Sequence, residues 1–308
     1  MIQSLDPSSQ EFLVSLTRIQ SAIKRTNDQI SSGLKVNAPS DAPDQIGDIL
    51  QIYTDLGQNA QIQTNLGRIK SEVGTAETIL ESAIKIVDRA MTLGSQGAGT
   101  MQSAEARLIL ADDVQSQLEQ LVSASRTIVA GRYIFSGDQN QEPAYELDLL
   151  NLNANGVNRL LMAPSTRLIQ HASGASFTAG KTAMEVFDAR NADDSLAPDN
   201  VFAAVNGLRT ALENNDQAAI DASLSALRAA GDHLNIELGF YGTVQNNIDE
   251  AIDFSAQLDV RLKTELSSRR DADITAAILE LEQGKTQQQA AFTARAEMPR
   301  TSLFDFLR

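Results

Sequence analysis

The sequence predicts a mainly α chain with a β-rich insertion, arranged as an elongated helical bundle with coiled-coil termini. Three observations predict it. Apolar residues recur in steps of four and three along both ends of the 308-residue chain. Between residues 132 and 199 that period gives way to alternation and turn dipeptides. Aromatic residues make up only 5% and Trp is absent, which suits helices packed on Leu, Ile, Val and Ala.

The first helical seam is Phe12, Leu16, Ile19, Ile23 and Ile30, with Thr26 between the last two. Gly33, Pro39 and Pro43 interrupt it, because Gly tolerates positive φ and Pro removes a backbone donor. Asp41 and Pro43 read as the cap and first turn of the next helix. A second seam runs Ile62, Leu66, Ile69, Val73, Ala76, Leu80, Ala83, Val87, Ala90. Its mean step of 3.5 residues keeps one stripe on a partner helix, the coiled-coil pattern, over about 40 Å. Gly94, Gly97 and Gly99 end it. A third seam, Ala111, Val114, Leu118, Leu121, Ser125 and Ile128, ends near Gly131.

The insertion opens on Ile134-Phe135 and the turn Ser136-Gly137-Asp138. Tyr145, Leu147 and Leu149 alternate with Glu146 and Asp148, the signature of a half-buried strand. Asn155-Gly156 is a turn signal between the apolar runs Leu149-Leu150 and Leu160-Leu161-Met162. Helix resumes after Pro198, with Asp199 as the expected N-cap and Val201, Val205, Leu208 and Leu212 as its seam. The longest seam follows, from Ile220 through Leu227, Leu234, Tyr241 and Ile248 to Leu262 and Leu266. A last stretch holds Ile274, Ile278, Leu281 and Phe292. The chain closes on the apolar tail Leu303-Phe304-Asp305-Phe306-Leu307. The two helical halves pack together, the termini share one end, and the insertion is expected at the other.

Composition excludes several functions. A net charge of −15 repels nucleic acid and anionic membranes, so neither is expected as a partner. The absence of Cys removes disulfides, thiolate metal sites and Cys nucleophiles. No run approaches the roughly 20 apolar residues of a membrane span. Met1–Pro7 lacks the basic and apolar regions of a cleaved signal peptide. His171 and His233 read as surface or packing residues, and Asp112-Asp113 as a solvated helix face. Asp271-Ala272-Asp273 starts like a calcium loop, but no loop Gly or terminal Glu completes it. No catalytic, cofactor or metal site is expected, and none of the usual hydrolase, nucleotide or zinc motifs is present.

An interaction role draws support from the ends. Phe12, Leu16, Ile19, Ile23, Ile30, Ile274, Ile278, Leu281, Phe292, Leu303, Phe304, Phe306 and Leu307 form terminal stripes that one chain is expected to leave uncovered. Such stripes mark protein–protein interfaces. A coiled-coil scaffold in the cytosol is an alternative that the seams alone would also fit.

Two motifs carry a resemblance. Gln29-Ile30-Ser31-Ser32-Gly33-Leu34-Lys35-Val36-Asn37, followed by Pro39-Ser40-Asp41-Ala42-Pro43, resembles the N-terminal motif of the bacterial flagellin family. Leu266-Ser267-Ser268-Arg269-Arg270-Asp271-Ala272-Asp273-Ile274 and the tail resemble its other end. Within the family, Gly131-Arg132-Tyr133-Ile134-Phe135-Ser136-Gly137 is similar to the segment that leaves the helical domain in members joining hook to filament. The filament subunit itself, flagellin, is the alternative.

The resemblance implies a flagellin-like fold with five parts: an N-terminal assembly helix (1–43), a helical core in two halves (44–131 and 200–266), the insertion (132–199) and a C-terminal assembly helix (267–308). It implies a structural subunit, exported without a cleaved signal and placed outside the cell, whose terminal helices fold on assembly. It also implies the partners: further copies of the chain, a neighbouring hook-associated protein, flagellin and a flagellar export chaperone.

Overall fold

The computed structural model describes residues 7–150 and 155–297. Among the described residues, seven helices and six short strands follow one another. The chain divides into two compact units, the first comprising Met1–Asn59 with Gln257–Arg308 and the second Ala60–Ala256.

The second unit is built on two long helices, α2 (Ile46–Gly97) and α6 (Gln217–Arg270), whose outer portions belong to the first unit. The predicted seams are its core. Leu66, Leu80, Ala83, Val87 and Ala90 of α2 are buried, with Ile220, Leu227, Leu234 and Ile248 of α6. Gln245 donates to Glu77, and Lys70 pairs with Asp249, so polar rungs flank the apolar seam. Helices α3 (Ala104–Ser125) and α5 (Val201–Glu213) complete the bundle through Val114, Leu118, Leu121, Val205, Leu208 and Leu212, all fully buried. Burial of such side chains contributes about 1.5–3 kcal/mol each. At the turns 98–103 and 214–216, Arg107 is buried and bonds the Gly97 carbonyl at 2.9 Å and Asn215 Oδ1 at 2.6 Å. Its charge faces the C-terminus of α2, where the helix dipole is negative.

The insertion consists of three separate antiparallel hairpins and a short helix. The hairpins are β1 (Ile128–Val129) with β2 (Arg132–Tyr133), β3 (Tyr145–Leu147) with β4 (Val157–Arg159), and β5 (Leu168–Gln170) with β6 (Ser176–Thr178); the helix is α4 (Ala183–Phe187). Ala130 (φ 49°) and Gly131 (φ 78°) form the turn of the first hairpin, both with the positive φ of a primed turn. Asp188 anchors the insertion. Its fully buried carboxylate accepts from Tyr145 Oη at 2.9 Å, Asn155 Nδ2 at 3.1 Å, Asn200 Nδ2 at 2.8 Å and Arg190 Nε at 2.7 Å.

Several expectations change. The insertion lies along the side of α2 and α6 rather than at the far end of the bundle. Arg167 pairs with Glu72 at 2.6 Å, and the His171 ring lies 5.0 Å from Phe254. The reason is that α3 has already returned the chain along α2 for 22 residues before the insertion begins. Ile128 leaves the third seam, because α3 ends at Ser125 and Ile128 sits exposed in β1. The β3–β4 register pairs Tyr145 with Arg159 and Leu147 with Val157, so the apolar runs around Asn155-Gly156 are not the strands. The cap of α5 is Asn200, which accepts from Ala203 N–H at 2.9 Å, and not Asp199, which lies 3.4 Å from His233.

In the first unit, α1 (Pro7–Ser32) packs on α7 (Ile274–Glu297). Part of the terminal stripes is therefore half-buried between α1 and α7 within one chain, where the sequence reading left all of them uncovered. A second small core joins Val36, Ile49 and Ile52 to Leu262 and Leu266.

Candidate assembly surface

The two end motifs meet. Gly33, at φ +73°, lets the chain leave α1, and its carbonyl accepts from Ala272 N–H at 2.9 Å. Lys35 N–H donates to the Arg270 carbonyl at 2.7 Å, and Leu34 bridges to Asp271. Arg270 reaches Tyr53 Oη, and Arg269 pairs with Asp48 on α2. Asp41 does not cap the next helix as expected. Its Oδ2 turns back to accept from Ala38 N–H at 2.8 Å and Asn37 N–H at 2.9 Å, and α2 starts only at Ile46. Those two backbone donors lower the Asp41 pKa below its ordinary value, because they stabilise the carboxylate. The Asp271 pKa is lowered likewise, chiefly by Ser267 and next by Arg270. Asp273 caps α7 through Ala276 N–H at 3.0 Å, which explains the acidic triplet without a cation.

Beyond this joint, α1 and α7 run antiparallel. Phe12 meets Phe292 edge-to-face at 6.4 Å, and the Arg295 guanidinium lies 5.8 Å from the Phe12 ring. Ile23 packs over Gly284, where an added Cβ would lie 2.9 Å from Ile23 Cγ1. Phe12, Leu16, Ile19, Ile23, Ile30 and Leu281 are half-buried in this pairing. Ile274, Ile278 and Phe292 stay exposed, Ile278 and Phe292 at 50%, and Leu13, Val14 and Leu279 join them. These last three were missed on sequence because they lie off the 4-3 seam. The pair thus buries one apolar stripe and leaves another uncovered. Leu303, Phe304, Phe306 and Leu307 lie outside the described residues.

Both histidines are engaged in hydrogen bonds. His171 Nδ1 contacts Ser173 Oγ at 2.6 Å, and His233 Nε2 donates to the Glu185 carbonyl at 2.9 Å. Among the described residues, no three His, Cys, Asp or Glu side chains are grouped to hold a metal ion, and no helix is long and apolar enough to cross a membrane.

Comparison with known proteins fits this layout. The bacterial flagellin N-terminal helical region matches residues 7–140, and the bacterial flagellin C-terminal helical region matches residues 214–307. Flagellar hook-associated protein 3 of Escherichia coli (strain K12) is 23% identical over 314 residues, covering 96% of each chain. Its namesake in Salmonella typhimurium is 23% identical over 311 residues, covering 95% of each. A putative flagellar hook-associated protein from Vibrio parahaemolyticus superposes with TM-score 0.64 at 20% identity, covering 75% of this chain and 100% of that one. Bacillus cereus FlgL gives 0.56 at 19%, covering 70% and 99%. Those structures share the fold. With both end regions matched and their motifs bonded to each other, the chain belongs to the bacterial flagellin family of flagellar structural proteins.

Proposed function

We propose that this chain is the structural subunit that joins hook to filament. The observation that carries this reading is the end-to-end likeness to two proteins named flagellar hook-associated protein 3, over 95% or more of both chains. A filament subunit would share the terminal helices, but that likeness also spans the insertion. In this reading residues 1–43 and 267–308 are assembly segments. Residues 132–199 form a side domain on the helical core.

Binding between copies comes from the apolar side chains of the terminal pair. Ile274, Ile278 and Phe292 supply surface directly, and Phe12, Leu16, Ile19, Ile23, Ile30 and Leu281 set the angle of the pair. Leu303, Phe304, Phe306 and Leu307 are proposed to add to this binding on assembly. The neighbours are a second hook-associated protein on one side and flagellin on the other. Export proceeds without a cleaved signal, with a chaperone acting near the C-terminus. The role is structural, with no catalysis. Deleting the gene tests it: cells should keep hooks, lose filaments and shed flagellin into the medium. Filaments of normal length on the deleted cells would overturn it.

A further inference from the structure

The segment Gly131–Gly137, singled out on sequence, has a use beyond turning the chain. It lines a polar cleft of about 300 Å³ in the larger unit, together with Ser165, Thr166, Arg167 and Glu72. The cleft's two carboxylates are engaged from within. Asp138 accepts from Thr166 N–H at 3.1 Å and Thr166 Oγ1–H at 2.8 Å. Glu72 accepts from Arg167 Nη2 at 2.6 Å. The donors are not matched in the same way. Among the described residues the exposed Arg132 guanidinium has no hydrogen bond or ion pair, and Ser165 Oγ and Tyr133 Oη have no hydrogen-bond partner. Arg167 keeps further N–H groups beyond the one given to Glu72. A cleft with satisfied acceptors and surplus donors takes an acceptor-rich ligand, and a guanidinium fork matches a carboxylate best.

The surrounding charge says where that carboxylate comes from. Residues 60–256 hold 25 acidic and 13 basic side chains, so a second copy offers carboxylates in surplus over cations. We propose that this cleft docks an acidic side chain of a second copy, with Arg132 as the principal contact and Arg167, Ser165 and Tyr133 completing its shell. The proposal rests on the reading that copies assemble. Charge complementarity of this kind sets register and partner choice more than total affinity.

Two measurements on the full chain test it. First, the chain is titrated at low salt with a tetraglutamate peptide, with tetraglutamine and with inorganic phosphate, following Tyr fluorescence and the arginine side-chain NMR signals. Saturable binding of tetraglutamate is expected, weakened about tenfold or more in Arg132→Gln and only partly restored in Arg132→Lys, which keeps the charge but not the fork. Equal binding by wild type and Arg132→Gln, or none by wild type, overturns the site, and preference for phosphate overturns the protein source. Second, a carbodiimide is applied to Arg132→Lys at concentrations where copies associate. An amide from Lys to an Asp or Glu of residues 60–256 in another copy is expected; only intramolecular links, or none, would sink the docking. A chain that never associates counts against the assembly reading, while the peptide titration still decides the cleft.

Discussion

Gly33 and Asp41 show how single residues fix the joint between the two end motifs. Gly33 sits in the left-handed region, where an L side chain meets its own backbone. Gly33→Ala should lower stability by about 1 kcal/mol and loosen the Lys35–Arg270 bond, read as a lower melting temperature and faster exchange of the Lys35 amide. Asp41 adds a pH dependence. Its folded pKa is depressed below the ordinary 3.8, so its contribution is complete above that value and is lost as pH falls through the lower one. Amides of Asn37 and Ala38 should therefore exchange faster below about pH 4, and Asp41→Asn should remove that pH dependence; unchanged rates would count against the contact. In the insertion, Asp188→Ala leaves Arg190, Tyr145, Asn155 and Asn200 facing an empty buried site. A loss of about 3–5 kcal/mol is expected by denaturant titration, whereas removal of the exposed Asp193 should cost little.

At the scale of elements, the contrast between Leu227 and Ile278 separates folding from assembly. Leu227 is fully buried on α6, and Leu227→Asp should cost at least about 3 kcal/mol and melt the helical core. Ile278 is 50% exposed on α7, so Ile278→Asp should leave the melting curve nearly unchanged while preventing incorporation into flagella. Equal destabilisation by the two would place Ile278 in the monomer core. The long seams were legible because a strict 4-3 repeat has one physical solution, a stripe against another helix. Most residues of α2 and α6 that the repeat selected are buried, while Ile62, Leu224, Leu238 and Ile252 are half-buried at its margins. The strands were less legible. They are two or three residues long, too short for alternation to fix register, and the Tyr145–Arg159 pairing depends on Asp188 holding Tyr145 from below. The Asn200 cap was missed because Asp199 and Asn200 are adjacent and both can cap; only tertiary contact with His233 decides between them. The pairing of α1 with α7 depends on Gly284 admitting Ile23, a contact more than 250 residues apart that no local pattern records.

For the whole molecule, assembly asks different things of its surfaces. In the proposed assembly the apolar side chains left uncovered on α1 and α7 bring neighbours together, and the acidic surface of the larger unit limits disordered aggregation. A subunit that ends one lattice and begins another needs different contacts on its two axial faces, whereas a filament subunit repeats one head-to-tail contact without limit. Purified protein, seeded or salted out, should therefore stop at short oligomers in electron micrographs and not grow filaments of micrometre length. The central claim, a junction subunit of the flagellin family, is tested most directly by immunogold labelling of this chain along intact flagella. A single band where the hook meets the filament is the predicted result. Label distributed along the whole filament would contradict it and make the chain a filament subunit.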